Sequence, residues 1–331
     1  MRSTCSVYID AGYLLASAAT RVTGTSLRKG IHVEYAPLIT SLIDTAEARS
    51  GLPLLRVHWY DSADKGVPDK QQERIGELAK VKLRLGRFGF NGEQKGVDIR
   101  IGLDLVAHAR NGASDVFFLV SGDDDLTEAV EEAQVHGVQV IVLAVPAIDG
   151  KPHSVSKHLI RAADELASLD GAAVDSAVMK VERPPAPEPA APVPAPPRPA
   201  AAVPGRPTAR TPLDLATSAP GLHAPRVGSV PVYSSSTGSP PQVFPDFDFD
   251  TDYDATMDAT IDEVVDRVVS ALHESASTIE RLALRRGRPS IPRDIDRALL
   301  LDASQALGIF DLDEGIRNRL RHQFWTQYDR R

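Results

Sequence analysis

The stretch that most constrains the fold is a short apolar run that ends in three consecutive carboxylates. Residues 116–120 read VFFLV, and they are followed in order by Ser121, Gly122, Asp123, Asp124 and Asp125. A five-residue apolar run is typical of a buried parallel strand. In an open α/β sheet, ligands bind at the carboxyl ends of the strands, where this turn would lie. Three adjacent carboxylates repel one another, so the turn predicts a divalent metal and phosphate chemistry.

Strands and helices alternate over the first half of the chain. Apolar patterning predicts strands over residues 6–10, 54–60, 81–90, 116–120 and 138–145. Helices are predicted over residues 11–19, 38–49, 70–79, 97–109 and 126–136, with a last helix over 156–169. Such alternation implies βαβ crossovers, and therefore an α/β fold with a mostly parallel sheet covered on both faces.

The composition changes at about residue 181. The chain has 25 prolines, concentrated between residues 184 and 245, and such a segment cannot bury a core. Further on, helical spacing over 261–272, 295–306 and 314–325 predicts a small all-α module. We therefore predict an α/β domain over 1–170, a disordered Pro-rich and acidic linker over 181–255, and a helical module over 256–331.

The net charge neither favours nor excludes a nucleic-acid partner. Residues 246–263 hold eight acidic residues and no Lys or Arg, which accounts for the whole net charge of −8. The single cysteine, Cys5, excludes an intramolecular disulfide and favours a reducing cytoplasm. The N-terminus has no apolar signal core, and no run of ~18 apolar residues predicts a membrane span.

Carboxylates end or begin elements in three separate segments. Asp10 ends the first strand, Asp98 follows a Lys-Gly-Val turn at the start of a helix, and Asp123 to Asp125 follow the VFFLV strand. Mg²⁺ and Mn²⁺ prefer oxygen ligands. Two such ions about 4 Å apart can activate a water and stabilise the leaving oxygen of a phosphodiester. The pattern predicts the acid-lined site that metal-dependent nucleases use.

Three segments in this order resemble the NYN domain of the PIN-like nuclease superfamily: YIDAGYL (8–14), KGVDIRIGLDLVAHA (95–109) and VFFLVSGDDDL (116–126). The resemblance covers about residues 5–165. It implies a three-layer α/β/α core and a ribonuclease that depends on Mg²⁺ or Mn²⁺ and acts on RNA. It places the metal ligands and catalytic carboxylates at Asp10, Asp98, Asp123 and Asp125.

The sequence departs from the family pattern at Tyr13, where many members carry Asn. An Asn amide can orient a metal-bound water or a phosphate, and a phenol is a poorer substitute. A catalytically weak or inactive RNA-binding scaffold that keeps the fold is therefore the alternative. Secondary candidates for the site are Tyr13, Asp104, Asp124 and Ser121; Asp104 lies six residues after Asp98, which puts the two on different helix faces.

Each acidic residue also has a purely structural interpretation. Asp10 alone could be a turn residue, and Asp98 alone could cap a helix N-terminus. Asp123 to Asp125 could favour the following helix through its dipole. Other catalytic patterns are absent from the sequence: it has no G-x-x-x-x-G-K-[ST] phosphate loop, and no H-E-x-x-H or C-x-x-C zinc pattern.

Basic residues lead toward the Asp98 turn. Lys95 and Arg87, with Lys82 and Arg84, could track a phosphate backbone toward the site, and a solvated strand face is the alternative. The helical module has a basic cluster that could bind RNA or a protein partner: Arg281, Arg285, Arg286, Arg288, Arg293 and Arg297. The acidic and aromatic segment 246–254 is a second candidate for protein docking; it could also imitate a nucleic acid and occupy the basic approach to the site, and a solubilising linker is the simpler alternative. A homodimer could shape the substrate groove, although no sequence pattern points to one.

Overall fold

The structure is a computed structural model that describes the backbone of residues 3–63, 66–88, 94–181, 251–309 and 311–331. The side chains of 87, 88, 94, 95 and 251–255 lie outside this description. All the described residues belong to one compact unit. Most of the predicted linker, and residues 246–250 of the acidic segment, lie outside the described residues.

The N-terminal half alternates strands and helices, as its patterning predicts. The strands are β1 (Cys5–Asp10), β2 (Ile31–Val33), β3 (Leu54–Ala63), β4 (Val81–Phe88), β5 (Gln94–Lys95), β6 (Val116–Val120), β7 (Gln139–Ala144), β8 (Glu165–Ser168) and β9 (Val178–Lys180). The helices are α1 (Ala11–Thr23), α2 (Tyr35–Ser50), α3 (Lys70–Gly76), α4 (Val97–Arg110), α5 (Thr127–Val135), α6 (Lys157–Ala162) and α7 (Gly171–Ala177). Short 3-10 helices cover Arg28–Gly30 and Asp124–Leu126.

The main sheet is mostly parallel, which confirms the predicted α/β class. Its strand order is β5-β4-β3-β1-β6-β7-β8, and among these neighbours only β4 and β5 pair in antiparallel fashion. β1 lies at the centre, where Ile9 is in register with Trp59 of β3 and Val120 of β6. The carboxyl ends of β1 and β6 are therefore side by side, which places Asp10 next to Ser121.

Helices cover both faces of this sheet, as expected for a three-layer core. Alternate residues of each strand serve opposite faces. Val57 and Trp59 pack into the core on the α1 and α2 side. Tyr60 and Phe117 pack into the core on the α4 and α5 side. Cys5 is buried in β1, where its thiol is free.

The predicted helix over 156–169 is wrong in its second half. α6 ends at Ala162, because Ala163 has extended backbone with φ −67° and ψ 149°. The carboxylate of Asp164 then accepts a hydrogen bond of 2.7 Å from the backbone N–H of Val140. This contact aligns the chain beside β7, so that residues 165–168 add a parallel strand, β8, to the sheet.

The C-terminal helices form their own core and also pack against the α/β domain. They are α8 (Thr251–Ser275), α9 (Thr278–Arg286), α10 (Arg293–Leu307) and α11 (Glu314–Arg330). α8 begins at Thr251, so helix replaces the last residues of the predicted linker. Leu27, from the segment between α1 and β2, is fully buried in the core of these helices. Among the helices that the structure describes, none is long and apolar enough to cross a membrane.

A buried histidine, His58 of β3, packs among aromatic rings between the sheet and α4. The ring of His58 stacks on Tyr8, with ring centroids 4.9 Å apart, and lies 4.7 Å from the ring of His108. Burial, helped by the charge of a protonated His108, lowers the pKa of His58 to about 3. Its Nδ1 atom has no hydrogen-bond partner within the described part of the chain.

We expect this residue to make the protein less stable in mild acid. An unfolded histidine has a pKa of about 6.5, so between pH 6.5 and pH 3 the unfolded state binds the proton that the folded state excludes. The free energy of unfolding should fall as the pH falls through this window, by up to about 1.4 kcal/mol per pH unit from His58 alone. Urea unfolding at pH 7, 6 and 5 measures it.

A His58→Phe variant keeps the ring packing and removes the titrating group, so its unfolding free energy should depend less steeply on pH. His32→Phe, at an exposed position, is the matched control and should keep the wild-type dependence. Equal pH dependence in wild type and His58→Phe would contradict the prediction.

Candidate metal-binding active site

Asp10 lies at the centre of the candidate site, where β1 ends and α1 begins. It is only 9% exposed. Burial raises the pKa of its carboxyl, and the backbone N–H groups of Tyr13 and Gly12 and the charges of Arg28 and Arg297 oppose this shift. A Cβ on Gly12 would lie 2.7 Å from Asp10 Oδ1, so glycine at this position leaves room for the carboxylate.

The turn after β6 holds Asp123 beside Asp10. Ser121 is fully buried, and its hydroxyl donates a hydrogen bond of 3.4 Å to Asp10 Oδ2 and accepts one of 3.3 Å from the backbone N–H of Asp123. Asp123 Oδ1 in turn accepts a hydrogen bond of 3.1 Å from the backbone N–H of Asp125. Ser121 therefore links the two strand ends, because it contacts the carboxylate of Asp10 and the backbone of Asp123.

Asp98 brings the third carboxylate, from the first turn of α4. Gly96 precedes that helix with a φ of 96°, a left-handed conformation that favours glycine. Burial and the negative charges of Asp10 and Asp123 raise the pKa of Asp98 to about 6. Asp98 therefore lies near enough to Asp10 and Asp123 for their charges to act on it, and these are three of the four carboxylates that the sequence analysis proposed as ligands.

The pKa of Asp123 is also raised. Burial raises its pKa, and so do the charges of Asp125 and Asp124, while the backbone N–H of Asp125 and the charge of Arg297 lower it. Three buried or half-buried acids with raised pKa values form a site where added positive charge would favour the ionised forms.

Asp124 and Asp125 differ in their surroundings. Asp124 accepts hydrogen bonds from the hydroxyl of Ser156 and from His158, whose Nδ1 lies 3.2 Å from Oδ2, and these contacts lower its pKa. It therefore ties the turn to the start of α6 and does not face Asp10. Asp125 is exposed, and its role as a ligand stays a prediction.

The hydroxyl of Tyr13 contacts backbone groups of the loop between β7 and α6. It donates a hydrogen bond of 2.7 Å to the carbonyl of His153 and accepts one of 3.3 Å from the N–H of Val145. The side chain is half-buried, its ring packs close to Gly122 of the turn, and its hydroxyl anchors the loop between β7 and α6. The residue that departs from the family pattern therefore packs beneath the turn that carries Asp123.

Asp104 belongs to a different cluster. It accepts a hydrogen bond of 2.9 Å from the hydroxyl of Tyr60 and pairs with Arg84, whose Nε lies 3.1 Å from Oδ2. Asp98 and Asp104 therefore lie on different faces of α4, as their spacing predicts: Asp98 lies near Asp10 and Asp123, and Asp104 contacts Tyr60 and Arg84. The side chains of Arg87 and Lys95 lie outside the described residues; their backbones pair between β4 and β5.

The donor chemistry at this cluster fits a divalent cation. Asp10, Asp98 and Asp123 offer only carboxylate oxygens, which Mg²⁺ and Mn²⁺ prefer. Within the described residues, no three His, Cys, Asp or Glu side chains stand close enough to hold one ion together. This arrangement still suits Mg²⁺, which commonly binds one or two carboxylates and keeps several waters.

Two arginines near the acids were not assigned to the site from the sequence. Arg28 donates a hydrogen bond of 2.9 Å from Nη2 to the carbonyl of Gly12, although nothing in its local sequence marks it. Arg297 belongs to the predicted basic cluster of the helical module, but its position beside Asp10 depends on a contact between distant parts of the chain.

Comparison with known proteins agrees with the geometry. A sequence model of the NYN domain family matches residues 5–170, about half of the chain. The domains of this family are PIN-like in fold, typically nuclease-like and generally dependent on divalent metals. The chain is also similar to uncharacterized protein y4oD of Sinorhizobium fredii (strain NBRC 101917 / NGR234), with 38% identity over 104 residues. That match spans 31% of this chain and 47% of the relative.

Proposed function

Because the chain belongs to the NYN domain family, we propose that it is a metal-dependent ribonuclease that hydrolyses RNA phosphodiester bonds. The observation that carries the proposal is the meeting of Asp10, Asp98 and Asp123 at the carboxyl edge of the sheet. Three separate segments deliver these acids, and the pKa of each is raised mainly by burial. Burying ionised carboxylates costs free energy, and a bound cation would offset that cost.

In the proposed mechanism, Asp10, Asp98 and Asp123 would line the site for Mg²⁺ or Mn²⁺, with one or two of them binding the ion directly and water completing its shell, and with Asp125 at the exposed edge. When bound, the ion would supply Lewis-acid activation of water and of the phosphate. Ser121 fixes the rotamer of Asp10 through their hydrogen bond and fixes Asp123 through its backbone N–H. The basic side chains near the Asp98 turn, among them Lys95 and Arg87, are proposed to hold the RNA backbone.

Cleavage of labelled RNA by the full chain tests this function. Single-stranded and structured RNAs are incubated with Mn²⁺, with Mg²⁺ or with EDTA. We expect cleavage by wild type with the metals, none with EDTA, and none by Asp123→Asn. Glu128→Gln, an exposed acid on the next helix, is the matched control and should cleave as wild type does.

Equal cleavage by wild type and Asp123→Asn would contradict the ribonuclease proposal, and so would no cleavage by either. Retention of RNA binding in the second case would favour the alternative, a non-catalytic RNA-binding scaffold with the NYN fold.

A further inference from the structure

Helix α10 of the C-terminal helices is bound to the α/β domain close to the candidate active site. Asp302 of α10 accepts a hydrogen bond of 2.6 Å from the Thr25 hydroxyl and one of 3.0 Å from the backbone N–H of Ser26. Asp294, at the start of the same helix, forms an ion pair of 2.8 Å with Lys29. These contacts lie on both sides of Arg297 along α10, so they hold in place the part of the helix that carries it.

Arg297 reaches the acid cluster. Its Nη2 lies 3.5 Å from the position that a Gly12 Cβ would take, and Arg28 Nη2 and Asp10 Oδ1 lie 3.2 Å and 2.7 Å from the same point. Although burial raises the pKa of Asp10, Asp98 and Asp123, the charge of Arg297 opposes the shift at all three. The guanidinium therefore acts on the whole cluster.

Two guanidinium groups lie side by side at this edge. Arg28 is partly buried, and its pKa is lowered first by burial and then by the charge of Arg297. Like charges at close range disfavour the charged form, and a neighbouring anion favours it. Asp10 lies near both guanidinium groups, and Arg297 is exposed to solvent. Guanidinium groups bind phosphate oxygens in a planar, bidentate geometry.

We propose that Arg297 and Arg28 form a clamp for a backbone phosphate of the bound nucleic acid, next to Asp10, so that the C-terminal helices complete the substrate site. This inference rests on the proposed function, since it takes RNA as the substrate of the acid cluster. It assigns a role to one residue of the basic cluster in the helical module. It also gives a reason for the docking of α10 on the segment between α1 and β2.

RNA binding by the full chain tests the clamp independently of cleavage. Anisotropy of labelled single-stranded RNA is measured in an Asp123→Asn background, over a range of salt concentrations. We expect Arg297→Ala to weaken binding by about 10-fold or more, because a charge-assisted contact is lost. The slope of log K against log salt should fall by about 0.7, the value for one phosphate contact on a single strand.

Two further variants separate the clamp from general charge and from folding. Arg297→Lys should keep the salt slope and lose part of the affinity, because a lysine keeps the charge but not the bidentate fork. Arg330→Ala, at an exposed arginine of α11 outside the basic cluster, is the matched control and should bind as its parent does. Thermal unfolding of each variant is measured beside that of the parent, so that weaker binding is not confused with partial unfolding.

The outcomes distinguish this inference from the proposed function. If wild type cleaves no RNA but Arg297→Ala still weakens binding and lowers the salt slope, the ribonuclease proposal fails and the clamp stands. If Arg297→Ala and Arg330→Ala bind RNA alike, the clamp is wrong. Tighter binding or faster cleavage by Arg297→Ala would also overturn it, because Arg297 would then shield the acids from substrate.

Discussion

An Asp10→Asn variant is expected to lose about 100- to 1000-fold in RNA cleavage, the range for removal of one charge-stabilising group from an active site. At the same time it should unfold at a higher urea concentration than wild type at pH 7. The pKa of Asp10 is raised in the folded state by burial, so its ionised form opposes folding at neutral pH. A neutral amide of the same shape removes that cost. Cleavage rates and urea midpoints measure the two effects.

Asp104→Asn makes the same chemical change in the other carboxylate cluster and should show the reverse pattern. Asp104 pairs with Arg84 and accepts from Tyr60, so the variant should cleave RNA normally and lose about 1 kcal/mol of stability. Wild-type cleavage by Asp10→Asn, or a comparable loss of cleavage in Asp104→Asn, would contradict the assignment of these acids.

A Gly122→Ala variant is expected to lose about 3 kcal/mol of stability, because an overpacked site next to backbone cannot relax at low cost. The added Cβ would lie 1.9 Å from the carbonyl oxygen of Ser154 and 2.8 Å from Cε2 of Tyr13. Relief requires the turn or the loop between β7 and α6 to move, and the turn carries Ser121 and Asp123. Cleavage should therefore fall together with the urea midpoint.

Gly102→Ala is the matched control for this change. Its Cβ would meet only the Ala129 Cβ, at 3.4 Å, and it lies within α4, where alanine is favoured over glycine. The control should be as stable as wild type or more so. A Gly122→Ala protein that matched Gly102→Ala in stability and cleavage would show that the close packing of the turn is unimportant.

The local pattern of apolar residues was sufficient to predict the central strands of the sheet. The apolar run Val116–Val120 is β6 with the same bounds, because a strand buried on both faces needs apolar residues at every position. The acids at strand and helix ends were found for a related reason: parallel strands end at one edge, so residues at those ends meet there. Asp10, Asp98 and Asp123 could therefore be grouped before any contact was known.

Contacts between distant parts of the chain could not be predicted in this way. The approach of Arg297 to Asp10 depends on the docking of α10, and no periodicity encodes it. The orientation of Tyr13 depends on hydrogen bonds to the loop at Val145 and His153. β8 was assigned to a helix because its four residues carry too little alternation to outweigh the helical pattern before it.

Manganese binding tests the central claim most directly. Mn²⁺ is titrated into the full-length wild type, Asp98→Asn and Asp104→Asn, and the free ion is measured by electron paramagnetic resonance. If the carboxylates at the strand ends hold the cation, wild type and Asp104→Asn should bind Mn²⁺ with the same affinity, and Asp98→Asn should bind at least about 10-fold more weakly. Equal binding by all three proteins, or no binding by wild type, would contradict the account.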